Sequence, residues 1–290
     1  MTRLFAFGLG YSALALARLM AADGARIAGT TRDTGKAEAL KGQGIEAFLF
    51  GENGPLCSPA TALSGTTHML ISLPPGDAGD AALLHHEGDI AALSQSCRWI
   101  GYLSTTGVYG DAGGDWVDEA TPPHPLSDRA KRRLQAEKAW LALGERAGIP
   151  VQVFRLAGIY GPGRNTLAQL KAGRARRIVK PGQVFSRIHV DDIARVLLAS
   201  MARPRAGAIY NVWDDEPAPP EDVVVHAASL LGIEPPPAEA FADAAKTMTP
   251  MGLSFYGESK RVRNALIKQE LGVQLAYRSY REGLLALLSA

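Results

Sequence analysis

Gly8, Gly10 and Ala13 stand at the spacing Gly-x-Gly-x-x-Ala within the first thirteen residues of the chain. Before them lies a short apolar run, residues 4–7. After them, residues 14–22 are rich in alanine and leucine with no helix breaker. That order reads as strand, tight turn and helix. Glycine at 8 suits the turn, glycine at 10 lets backbone come close to a phosphorylated ligand, and a small residue at 13 lets helix pack on strand. The first turn of such a helix presents free N–H groups and the positive end of its dipole. This is chemistry for a pyrophosphate.

A second site of this kind is the end of the next strand, Gly29-Thr30-Thr31-Arg32. An acidic residue there would bind ribose hydroxyls, whereas an arginine accommodates a 2′-phosphate as a forked donor. Thr31 and Arg32 occupy the strand end and Asp33 lies beyond it, so NADP is the expected cofactor, with NAD left open. His189, Asp191 and Asp192 suggest a metal cluster by type. The two carboxylates, however, open a helix, where they favour the dipole and its free N–H groups, and no metal is expected. Arg174, Arg176 and Arg177 are read either as a grip for an anionic substrate or as a solvated charge run. His85 and His86 are expected on a helix surface.

Strand-like and helix-like segments alternate around these residues. Strands are expected at 25–30, 45–50, 67–73, 98–104, 151–156 and 208–212, and helices at 78–96, 127–147 and 190–201. Such alternation implies an α/β fold with a doubly wound parallel sheet, whose ligands bind beyond the C-terminal strand ends. The remainder is richer in proline, with two final helices expected near 259–271 and 279–288. The division expected is a Rossmann dinucleotide-binding domain of 1–164 and 188–214, and a smaller substrate lobe of 165–187 and 215–290. The chain has 290 residues, 47% of them hydrophobic, enough for a full α/β core, and its net charge of +2 gives no field that would call for nucleic acid or membrane. Cys57 and Cys97 have no metal or redox spacing and are read as small core residues of a cytoplasmic protein.

Four further blocks join the glycine turn: Ser104-Thr105-Thr106-Gly-Val-Tyr109-Gly110, Arg155-Leu-Ala-Gly158-Ile-Tyr160-Gly-Pro-Gly163-Arg164, Arg187-Ile-His189-Val-Asp191-Asp192, and Tyr210-Asn211-Val-Trp-Asp214-Asp215. In this order they resemble an extended short-chain dehydrogenase/reductase, the superfamily of nucleotide-sugar epimerases and dehydratases. The blocks Ser259-Lys-Arg-Val-Arg-Asn264 and 277–283 are similar to an atypical branch of it. The resemblance implies that Gly8, Leu9, Gly10, Tyr11 and Ser12 surround the pyrophosphate. It also implies that Leu73 and Pro74 line the adenosine channel, that Ser104 and Thr105 reach the cofactor, and that Leu156, Gly158 and Ile159 lie beside the nicotinamide. Thr105 falls at the catalytic Ser/Thr position.

The superfamily's Tyr-x-x-x-Lys pair puts both side chains on one helix face, where lysine lowers the tyrosine pKa for proton transfer. Aligned through Ala136-Glu137, Arg129 takes the tyrosine position and Arg133 the lysine position. Pairing Ser127 with Lys131 instead breaks that anchor. Arginine stays charged and shuttles no proton. Arg133 would hold the nicotinamide ribose and Arg129 an oxyanion, and Tyr109, Asp111 and Tyr160 are the other proton donors considered. The expected activity is an NADP-dependent oxidoreductase or epimerase-like reaction on a small oxygenated or sugar-derived substrate. The alternative is a non-catalytic NADP(H) sensor or interaction module. A homodimer through helices 78–96 and 127–147 is considered, although Arg129, Lys131, Arg132 and Arg133 would bring like charge together across its axis.

Overall fold

The computed structural model describes residues 1–289. Its first half runs β1 (Arg3–Phe7), α1 (Tyr11–Ala22), β2 (Arg26–Thr31), α2 (Thr34–Lys41), β3 (Glu46–Leu49), α3 (Pro59–Leu63), β4 (His68–Ile71), α4 (Ala81–Ala91), β5 (Trp99–Thr105), β6 (Trp116–Val117) and α5 (Asp128–Ala147). The second half runs β7 (Val151–Leu156), β8 (Gly158–Tyr160), α6 (Thr166–Lys171), β9 (Arg177–Val179), β10 (Arg187–His189), α7 (Val190–Ala202), β11 (Ile209–Val212), α8 (Pro220–Leu231), β12 (Ala238–Ala240), α9 (Phe241–Ala244), α10 (Pro250–Tyr256), β13 (Arg261–Val262), α11 (Ala265–Gln269) and α12 (Tyr280–Leu288).

Seven strands form one parallel sheet in the order β11-β7-β5-β4-β1-β2-β3. Side chains alternate between its faces, as the strand period of two requires. Leu4 and Ala6 of β1 join the core that includes α1 and α7, while Phe5 and Phe7 join the one that includes α4 and α5. Both faces are covered by helices, which is why the strands read as continuous apolar runs rather than alternating ones. The order reverses between β1 and β4. The ligand crevice of a doubly wound sheet opens at that switch.

The long helix α5 has the ends its sequence signals. The hydroxyl of Ser127 accepts from the Ala130 N–H at 3.2 Å, and Gly148 closes the helix in the left-handed region at φ 68°. The expected helix at 78–96 is shorter. Asp80 caps it, accepting from the N–H groups of Ala82 and Leu83, and it kinks at His86. His86 is buried, contrary to its expected surface position. Its Nε2 accepts from the Leu56 N–H at 2.9 Å, and its ring lies against Phe7 and Phe50. Cys97 is a core residue as expected, but Cys57 is exposed.

Outside the large sheet the chain makes three two-stranded pairs, β8 with β10, β9 with β12, and β6 with β13. Three smaller apolar clusters accompany them, one around Val117, Trp213 and Val262, one around Tyr280 and Leu284, and one around Ile178 and Tyr256. The expected helix at 259–271 is instead strand β13 followed by α11. The amide of buried Asn264 breaks the run by donating to the carbonyls of Trp213 and Asp214 and to the Asp215 carboxylate. Among the described residues no helix is long and apolar enough to cross a membrane.

Candidate active site

The glycine turn sits between β1 and α1 in the conformation its sequence suggests. Gly8 has φ 92°, and a Cβ there would fall 2.9 Å from Leu73 Cδ2. Its N–H donates to the Thr30 hydroxyl at 2.8 Å, and the Leu9 N–H to the Thr30 carbonyl at 2.7 Å, which ties the turn to β2. Gly10 caps α1, and no side chain accepts from the helix's first turn. The Gly10 N–H donates to the Gly8 carbonyl, so the donors left open are those of the first turn of α1, and this uncapped helix start fits a phosphorylated ligand. The Leu9 side chain points into the core and its N–H is held by Thr30, so it offers such a ligand no donor. The Tyr11 hydroxyl donates to the Pro162 carbonyl at 3.0 Å, and the Arg164 guanidinium lies 5.9 Å from the Tyr11 ring centre. At the end of β2, Thr31 is buried and accepts from the Asp33 N–H. Asp33 accepts in turn from the Lys36 N–H at 2.6 Å and so caps α2. Arg32 is exposed and makes no ion pair among the described residues. Pro74 is exposed as well.

Beyond the strand ends lies a cavity of about 810 Å³. Of the residues expected at the site it brings together Ser12, Ser104, Thr105, Arg129, Arg133, Leu156, Gly158, Ile159 and Tyr160. Thr105 puts a hydroxyl on the cavity wall. Its oxygen accepts from the Gly107 N–H at 3.1 Å, leaving its own proton to donate. Ser104 turns the other way and donates to Glu137, a carboxylate in a buried pair with Arg155 at 2.8 Å.

Arg133 is fixed by one guanidinium nitrogen, Nη1. It donates to the carbonyls of Leu103 at 2.8 Å and Leu73 at 3.1 Å, and to the Tyr102 hydroxyl at 3.2 Å. It thus ties together the ends of β4 and β5 while still lining the cavity. Arg129 is exposed at the cavity wall, with its guanidinium 5.8 Å from the Phe255 ring centre.

The other proton donors considered are engaged elsewhere. Tyr109 is buried outside the cavity wall; Arg155 lies 4.8 Å from its ring centre and its hydroxyl donates to Asn211 at 2.9 Å. Tyr160 lines the cavity, but its hydroxyl donates to the Ser279 carbonyl at 3.4 Å, and burial pushes its pKa well up. Asp111 accepts from the N–H groups of Ser259 and Gly113, which lowers its pKa and keeps it a carboxylate. His189 is the cap of α7, with Nδ1 accepting from the Asp191 N–H at 3.2 Å, and Asp192 accepts from the N–H groups of Ala276 and Tyr277. These residues are spent on architecture. Arg176 is paired with Glu239 at 2.6 Å, so it does not stand free for an anion.

Several wall residues carried no individual reading in the sequence. They include Arg187, Glu258 and Lys260, together with the apolar Met251 and Phe255 of α10. The block containing Lys260 was noticeable as a motif, but nothing local shows that it returns to the strand ends.

The model of the family described as NAD dependent epimerase/dehydratase matches residues 90–213. A structure of a functionally unknown conserved protein from Silicibacter pomeroyi DSS is 51% identical, covering 100% of this chain and 99% of that one at a TM-score of 0.90. Within this chain the likeness to the NAD dependent epimerase/dehydratase family lies in residues 90–213. The chain's relatives include Protein YeeZ of Escherichia coli (strain K12), 29% identical over 280 residues that make up 93% of this chain and 94% of that protein. A UDP-glucuronic acid 4-epimerase from Bacillus cereus, solved in complex with NAD, shares the fold of this chain. It is 16% identical with a TM-score of 0.77, covering 99% of this chain and 94% of that one.

Proposed function

We propose that this protein binds a nicotinamide dinucleotide, NADP(H) by preference, and acts as an oxidoreductase or epimerase-like enzyme on a small oxygenated or sugar-derived substrate. One observation carries the reading: an uncapped glycine turn and a cavity with Thr105 and Arg133 on its wall meet at the C-terminal ends of one parallel sheet. The NAD-bound relative of the same fold supports the cofactor class.

In this reading the backbone of residues 8–12 and the dipole of α1 hold the pyrophosphate. Arg32 takes the 2′-phosphate, and Arg133 donates to the nicotinamide ribose through its remaining nitrogens. The cofactor supplies hydride chemistry. Thr105 donates to the substrate oxygen, and Arg129 balances negative charge there without exchanging a proton. The region 165–187 with 215–290 serves as the substrate lobe, since Arg187, Phe255 and Lys260 on the wall belong to it.

Calorimetric titration of NADPH and NADH, followed by a panel of aldehydes, ketones and nucleotide sugars monitored through NADPH absorbance, tests the reading. Tighter binding of NADPH with turnover of at least one carbonyl is expected. Absence of binding by either dinucleotide would refute it. Tight binding without turnover would favour a sensor, a reading that the Arg129 and Arg133 positions also suit.

A further inference from the structure

With Arg129 and Arg133 in place of a proton-relaying pair, a reaction at a carbonyl needs its proton from another group. The cavity wall narrows the choice. Its arginines, Arg129, Arg133, Arg164 and Arg187, stay charged. Tyr160 has given its hydroxyl to Ser279. Tyr256 is wedged between Phe185 and Phe241, and burial raises its pKa. Serine and threonine hydroxyls relay protons but do not supply them. Glu258 and Lys260 remain, and they face each other across 2.7 Å with side chains 16% and 11% exposed.

The backbone around this pair is held on both sides. Ser259, between the two, donates its N–H to Asp111 at 2.7 Å and its hydroxyl to the Gly182 carbonyl at 3.0 Å. Its hydroxyl oxygen accepts from the Val184 N–H, and its carbonyl accepts from the N–H groups of Ala112 and Gly114. On the other side, Arg261 donates its N–H to the Asp115 carbonyl as β13 pairs with β6. Gln183 holds the Glu258 carbonyl at 2.6 Å. A stretch with no helix of its own is thus pinned on both flanks, and the pair it carries lines the cavity. Fixed supports around a charged pair are what a precisely aimed group requires.

We propose that Lys260, positioned by Glu258, is the general acid of this cavity and gives its Nζ proton to the substrate oxygen. The inference rests on the proposed nicotinamide reading. In the reductive direction the substrate carbonyl carbon accepts hydride from a reduced nicotinamide and the carbon–oxygen π bond opens. The Nζ–H bond of Lys260 breaks as the new O–H bond forms. The products are an alcohol, an oxidised nicotinamide and a neutral Lys260 amine, which regains its proton from solvent with Glu258 as the adjoining carboxylate. Thr105 holds the same oxygen as a hydrogen-bond donor throughout.

The test uses the full chain with NADPH and 4-nitrobenzaldehyde, together with the carbonyl that the panel shows to be turned over fastest. Lys260→Met should lower kcat by about 10²–10⁴-fold, the usual weight of a general acid. Calorimetric NADPH affinity in the same variant should stay unchanged, showing that fold and cofactor site are intact. Lys260→Arg keeps the charge, but a guanidinium does not give up its proton near neutral pH, so the variant should stay as slow as Lys260→Met. Methylammonium added to Lys260→Ala should restore turnover with saturation. Full activity in Lys260→Met, recovery in Lys260→Arg, or loss confined to Tyr256→Phe overturns the proposal. So does a wild type that binds NADPH but turns over no carbonyl. Failure to bind NADPH at all refutes the cofactor reading itself and is read separately from these outcomes.

Discussion

At one side of the crevice the residues proposed to hold the dinucleotide, 8–12, are consecutive in the chain and held by β1, α1 and the neighbouring Thr30. At the other end Arg129, Arg187, Phe255 and Lys260 arrive from separate segments: Arg129 lies against Phe255, Arg187 reaches the Ala218 carbonyl, and Lys260 pairs with Glu258 on a stretch that Ser259 ties to Asp111 and Gly182. The first end rests on a strand and a helix that fold for their own reasons, so its geometry is cheap and local. The second depends on ion pairs and side chain–backbone hydrogen bonds that exist only once the whole chain has collapsed. The difference suggests where an enzyme of this fold varies. Under the proposed reading, the dinucleotide end should tolerate little change, while the end proposed for substrate should be open to rebuilding through a few loop contacts.

The sharpest way to break this comparison lies between the two ends, at the buried Glu137–Arg155 pair that also receives the Ser104 hydroxyl. Glu137→Ala leaves a buried guanidinium unpaired and should cost about 3–5 kcal/mol of stability in urea denaturation. A loss below about 1 kcal/mol would mean that the strand ends are not organised by this pair.

Asp214 offers a pH test of how strongly the second half is buried. Its carboxyl has no exposure, and burial pushes its pKa up to about 8 from an ordinary 3.8. The folded protein then binds the proton more tightly than the unfolded chain. The contribution of Asp214 to stability is greatest below about pH 4 and falls as pH rises toward 8. Asp214→Asn should remove that slope. The variant's stability relative to wild type should improve by an amount on the order of 3 kcal/mol between pH 4 and pH 9, as read by thermal or urea melts. A constant difference across the range would contradict the burial argument.

At the dinucleotide end, Arg32→Ala should weaken NADPH binding by about 1.5–3 kcal/mol, the worth of a charged hydrogen bond, and leave NADH binding nearly unchanged. Equal losses for both cofactors would remove Arg32 from the 2′-phosphate. The smallest effect is expected at the substrate end. Phe255 is half exposed, and its contact with Arg129 is a surface cation–π interaction, so Phe255→Leu should cost only about 0.5–1 kcal/mol in stability. A larger loss would show α10 to be part of the core rather than an adjustable wall.

The sequence by itself determined the parallel α/β architecture, the glycine turn and the ends of α5, because each follows from neighbours in the chain. Apolar runs bounded by turns make strands buried on both faces. Gly8 can take φ 92°, and Ser127 and Gly148 stop a helix through contacts within a few residues. Expected strand boundaries differ from those observed by one or two residues, since apolar patterning marks what is buried and not where pairing stops. The tertiary structure decided the burial of His86, the breaking of the 259–271 segment by Asn264, and the use of Tyr109, Tyr160 and Asp111 as struts. It also brought Glu258 and Lys260 to the cavity. Those outcomes depend on hydrogen bonds between residues far apart in the chain, such as Asn264 to Trp213 and Ser259 to Asp111. No local propensity carries that information, because a polar side chain reads alike in sequence whether its partner is water, a distant carbonyl or a substrate.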